Sequence, residues 1–140
     1  MKIKILFLCF SIAVIPFLDG CKKYKDAPSN ISLRSKKGRL TNEWKLTTYY
    51  YNDSIYTGTL PVHTLDIKVN GTYTESDASS SYSGIWDLSS NHKEVVLTEN
   101  GTSNVEKYTI KCLESKTLWL KQVDGKDNYE WHYEKNNFLK

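Results

Sequence analysis

Cysteine is scarce in this chain of 140 residues, with only Cys9, Cys21 and Cys112. Cys9 lies inside an apolar leader and Cys21 closes it. That leaves Cys112 alone, so no disulfide framework holds the fold. Cys112 is expected to be a small buried apolar residue, since no base is placed to activate it. No His-x-His or Cys-x-x-Cys pair occurs, and His63, His92 and His132 are scattered. A Gly-x-Ser-x-Gly elbow and a glycine-rich phosphate loop are both missing. Ser79-Ser80-Ser81 reads as a loop, and Asp124 and Asp127 as turn residues. No catalytic residue, metal site or cofactor is therefore expected, and the chain does not read as an enzyme. Arginine stops at Arg39. After Thr41 no stretch sustains a helical period. Glycine and proline are also few, at seven and three.

Aromatics are abundant instead: ten Tyr and four Trp, a bias that favours strands. The formal charge of +3 is unevenly spread. Residues 21–40 carry seven Lys or Arg against Asp26, a net of +6. Residues 41–140 carry ten Lys against fourteen Asp or Glu, a net of −4. An acidic domain behind a short basic segment argues against nucleic acid as a partner.

The first 20 residues have the form of an export signal. Lys2 and Lys4 precede an apolar run from Ile5 to Leu18, too short to span a bilayer comfortably. The stretch Leu18-Asp19-Gly20-Cys21 resembles the lipobox of bacterial lipoproteins, with Asp19 departing from the usual small or aliphatic residue. The resemblance implies removal of residues 1–20, lipidation of Cys21 and residence in the bacterial cell envelope, with the membrane as partner. Two or more acyl chains would anchor the protein stably, at about 0.8 kcal/mol per buried CH₂. Residues 21–40 then read as a basic, flexible tether, with a short helix conceivable over Ile31–Lys37.

Residues 41–140 alternate with a period of two. Trp44, Leu46, Thr48 and Tyr50 form one face of a first strand, leaving Tyr49 and Tyr51 on the other. Leu65, Ile67 and Val69 continue the pattern, followed by Tyr82, Gly84, Trp86 and Leu88, then Val95 and Leu97. Further along come Tyr108, Ile110 and Cys112, then Leu118 and Leu120, and last Tyr129, Trp131 and Tyr133. Asn70-Gly71 signals a hairpin. Its register is open: a strict two-residue turn would set Tyr73 opposite Lys68, facing water, while a longer loop with Gly71 left-handed would bring Tyr73 to the core side with Ile67, the arrangement that buries more area. About eight short strands and no helix close most economically as an all-β, antiparallel up-and-down barrel.

The runs Leu40-Thr41-Asn42-Glu43-Trp44-Lys45-Leu46, Asn70-Gly71-Thr72-Tyr73-Thr74, Ser83-Gly84-Ile85-Trp86-Asp87-Leu88 and Leu118-Trp119-Leu120 resemble, in order and spacing, the lipocalin-like domain of small lipoproteins from Bacteroidota. That family implies an eight-stranded barrel over roughly residues 40–135.

An aromatic set is the main candidate for function. Trp44, Leu46, Tyr50, Ile67, Trp86, Tyr108, Tyr129, Trp131 and Tyr133 could line a cavity for a small apolar or amphipathic ligand. A filled core is the default for about 100 residues, yet many interior Tyr hydroxyls favour a wet or ligand-holding interior. The alternative is a packed module that binds another envelope protein through an outer face such as Tyr49/Tyr51 or Trp119. Glu130, His132 and Glu134 share one strand face, which reads as a solvated outer surface rather than a metal site. Asp53-Ser54-Ile55 is similar to the O-glycosylation site that Bacteroidota use on exported proteins, which implies modification of Ser54.

Overall fold

Alternating apolar and polar residues build the molecule strand by strand. The computed structural model describes residues 34–60 and 62–137. The leader, Cys21 and most of the tether lie outside the described residues. One helical turn, α1 (Lys36–Leu40), precedes nine strands. These are β1 (Glu43–Tyr51), β2 (Ser54–Ile55), β3 (Thr64–Ile67), β4 (Thr72–Ser76), β5 (Ser81–Leu88), β6 (Glu94–Glu99), β7 (Val105–Leu113), β8 (Thr117–Asp124) and β9 (Asp127–Lys135). Each strand pairs antiparallel with its neighbour, and β1 pairs with β9 as well as β3. That last pairing closes an eight-stranded barrel, while β2 is a two-residue flap folded back on the end of β1. Closure satisfies the backbone ladder all round and leaves no barrel edge for another chain to extend.

The interior is read from the register. Trp44, Leu65, Ile67, Tyr73, Trp86, Val95, Leu97, Ile110, Leu113, Leu118, Leu120 and Tyr133 are buried and form one cluster. Burying each aliphatic side chain contributes about 1.5–3 kcal/mol. The β3–β4 hairpin has the longer loop: Gly71 is left-handed at φ 85° and Tyr73 faces Ile67 across the pair. Gly84 is required by close approach. A Cβ there would stand 2.0 Å from the Thr98 carbonyl oxygen and 2.7 Å from the Tyr73 ring.

One end is plugged. Leu40 and Trp44 are fully buried, and the Trp44 indole N–H donates to the Leu40 carbonyl at 2.9 Å. The Trp86 indole N–H donates to the Lys68 carbonyl at 2.8 Å. Arg39 donates to the Leu113 carbonyl at 3.0 Å, Lys36 to that of His92, and the Lys37 ammonium lies 5.3 Å from the Trp86 ring centre. Residues 36–40, read above as the end of the tether, are thus part of the barrel. The helical turn also lies later than the 31–37 expectation. Ser35 caps it by accepting from the Gly38 N–H.

Two bulges change which residues face inward. In β1 the pairing with β9 slips between Leu46 and Thr48, and the extra residue reverses the alternation. Tyr49 then pairs with Trp131 and Tyr51 with Tyr129, on the interior side. Tyr50 is set opposite Glu130 on the outer side. This corrects the placement of Tyr50 among interior residues and of Tyr49 and Tyr51 on an outer face. In β7 the register slips between Ile110 and Cys112. Leu113 takes the inward place opposite Leu118, and Cys112 faces Trp119, off the side of Tyr108 and Ile110 that alternation assigned to it. Cys112 is nonetheless completely buried, and burial and the nearby Glu114 charge push its thiol up to about 12, with Arg39 pulling the other way.

Candidate functional site: the open end of the barrel

Opposite the plugged end, the strands finish in the turn 52–53, with the β2 flap beside it, and in the loops 77–80, 100–104 and 125–126. Here the interior is not filled. A cavity of about 260 Å³ is lined by Tyr73, Tyr82, Tyr108, Glu75, Glu99 and Glu106, together with Leu97 and Asn104. A second, of about 510 Å³, shares Asn104 and Glu106 with the first and reaches Tyr49, Tyr129 and Trp131. A third, of about 250 Å³, shares Tyr49 and Trp131 with the second and is walled by Leu46, Tyr56, Leu60 and His63. Shared walls make these compartments of one cup, acidic on one side and apolar on the other.

Register explains why the cup is built this way. Leu65 pairs with Glu75, and Glu75 with Tyr82. Tyr73 pairs with Gly84, and Gly84 with Glu99. Leu97 pairs with Glu106. Each glutamate therefore sits one pleat beyond a core residue, at an inward position near the mouth. Gly84 leaves room for the Tyr73 ring, which closes over it in the row between Tyr73 and Glu99.

The polar groups of the cup are partly paired. His63 Nε2 lies 2.7 Å from Glu75 Oε1, and the Tyr108 hydroxyl donates to Glu106. Thr102 donates to Glu99 at 3.1 Å. Burial, the bond to Glu106 and the surrounding carboxylates hold the Tyr108 hydroxyl far above its ordinary pKa. Tyr133 is raised as well, first by burial and then by the charges of Glu75 and Glu106. Its hydroxyl is 3.5 Å from His63 Nδ1. Aromatic rings pack the apolar side, with Tyr108 edge-on to Trp131 at 5.4 Å and Tyr49 against Trp131 at 5.8 Å.

The nine residues expected to line a cavity divide into four groups. Leu46, Tyr108, Tyr129 and Trp131 wall the cup. Trp44, Ile67 and Trp86 are packed at or toward the plugged end, and Tyr133 is buried between. Tyr50 is outside, 4.9 Å from the His132 ring, which itself stacks on Trp119 at 4.1 Å. On that outer face His132 Nε2 is 2.6 Å from Glu130. No group of three or more His, Cys, Asp or Glu among the described residues is arranged to hold a metal ion. Ser54 is exposed on the β2 flap, after Asn52 and Asp53 in the left-handed region. The glutamates, Tyr49 and His63 were missed by sequence reasoning. The glutamates were visible in principle, at two residues from Tyr73, Leu97 and Tyr108 in strands whose period is two.

A lipocalin-like protein from Bacteroides uniformis superimposes with a TM-score of 0.58 over 71% of this chain and 100% of the other, at 14% identity. The fold is lipocalin-like. No protein-family model matches the chain, and no curated protein matches it. A likeness at this identity speaks for the closed eight-stranded barrel and for nothing finer.

Proposed function

We propose that the chain is a lipid-anchored protein of the bacterial cell envelope whose barrel binds a small ligand in the open cup, without catalysing a reaction. The observation that carries this reading is the asymmetry of the barrel: one end plugged by α1, Trp44 and Trp86, the other hollow and lined by aromatic rings. Side chains fill the interior of a small barrel unless something else occupies it. The lipocalin-like fold supports a binding role. The anchor rests on the Leu18-Asp19-Gly20-Cys21 stretch, and the basic residues after Cys21 suit anionic headgroups. Ser54, exposed on its flap, is proposed as an O-glycan acceptor.

Mass spectrometry of the chain purified from its own envelope tests both parts. The denatured protein is expected to begin at Cys21 and carry a diacylglycerol adduct. The native protein is expected to retain one small molecule per chain. An unmodified Cys21 contradicts the anchor. A bare barrel holding a second protein instead favours the interaction module over the ligand.

A further inference from the structure

The apolar half of the cup says little about what it would hold, but the acidic half says more. Glu75, Glu99 and Glu106 face one cavity of about 260 Å³, and no Lys or Arg lines it. Each carboxylate has one oxygen engaged by His63, Thr102 or Tyr108. The other oxygen of each is without a partner among the described residues. Three carboxylates lining one small cavity give it a negative field that attracts a cation.

A second observation points the same way. Tyr73 is 4% exposed and lines this cavity, yet its hydroxyl has no hydrogen-bond partner among the described residues. That hydroxyl opens onto the cavity, where it can accept a hydrogen bond from an occupant. The same three glutamates, after burial, raise its pKa, so its oxygen lies within their field. The carboxylates are not grouped to hold a metal ion. They are spread around a cavity walled by the Tyr73, Tyr82 and Tyr108 rings, whose faces attract organic cations.

We propose that this compartment takes the head of a small organic amine, its N–H groups shared among Glu75, Glu99, Glu106 and the Tyr73 hydroxyl, and its apolar body directed toward Tyr49 and Trp131. The assignment rests on the ligand-binding reading above and narrows it to a chemical class. The acidic balance of residues 41–140 would favour the approach of such a ligand.

The test is calorimetric titration of the full chain, in non-ionic detergent, with three probes of one shape: phenethylamine, 2-phenylethanol and phenylacetate. Phenethylamine is expected to bind at least about tenfold more tightly than the alcohol, as befits a charge-assisted hydrogen bond, and the acid most weakly. Glu99→Gln and Glu106→Gln should each weaken the amine about tenfold and leave the alcohol unchanged. Tyr73→Phe should do the same to a smaller degree, with an unchanged melting temperature. If the alcohol or the acid binds as well as the amine, the amine assignment is wrong while the cup remains a ligand site. Binding of none of the three overturns both.

Discussion

Trp44→Ala is expected to remove about 3–5 kcal/mol of stability, the usual cost of truncating a buried aromatic. Trp44 is fully buried, and its indole N–H satisfies the Leu40 carbonyl. Truncation would open a cavity at the plugged end and orphan that carbonyl together. Domains of this size hold only about 5–15 kcal/mol, so the variant should melt more than about 15 °C lower, or fail to fold at 37 °C. Trp44→Phe separates the two effects: it keeps most of the packing, and should cost about 1–3 kcal/mol for the unpaired carbonyl. Thermal melts followed by circular dichroism give both values. A Trp44→Ala loss below about 1 kcal/mol would mean that α1 does not plug the barrel as described.

The second large effect falls at Gly84. Alanine there is expected to cost about 3 kcal/mol, at the upper end for overpacking, because the obstruction at 2.0 Å is the Thr98 backbone carbonyl. A flexible side chain could move aside; a ladder carbonyl moves only if β5 and β6 part. At roughly 4–8 °C per kcal/mol, the melting temperature should fall by about 12–24 °C. The Tyr73 ring would be displaced too, so the acidic compartment should lose its shape before the protein unfolds. Ile85→Ala is the control. Ile85 is the next residue on the same strand but is 57% exposed, and its loss should cost under about 1 kcal/mol. Equal melting temperatures for the two variants would contradict the packing around Gly84.

The barrel itself was legible because period-two alternation survives in nearly every strand, and because burial of Tyr73 beside Ile67 favours the longer of the two loops that Asn70-Gly71 allows. The faces of β1 were not. Thr47-Thr48 and Tyr49-Tyr50-Tyr51 look alike on either side of a one-residue slip, so nothing in their chemistry announces the bulge. The tertiary pairing with β9 decides it, turning Tyr49 and Tyr51 in and Tyr50 out. Cys112 is a similar case, since Cys112-Leu113 offers two apolar residues for one inward place. The end of the tether was misread because its charges suggest solvation. Arg39 and Lys36 instead spend those charges on carbonyls of the barrel rim, and Leu40 carries the burial. The glutamates were missed for a different reason. A charged residue is normally assigned to the wet face of a strand, and here the wet side includes the mouth of the interior.

Occupancy of the cup is the claim on which the functional account stands. Its most direct measurement is titration of the folded full chain with a neutral fluorescent probe, N-phenyl-1-naphthylamine, exciting tryptophan and following energy transfer. Trp131 walls two compartments of the cup, whereas Trp44 and Trp86 are buried at or toward the plug. The account predicts saturable 1:1 binding, with a transfer signal that falls most in Trp131→Phe. A flat titration with the fold intact, or a signal indifferent to Trp131, would contradict it.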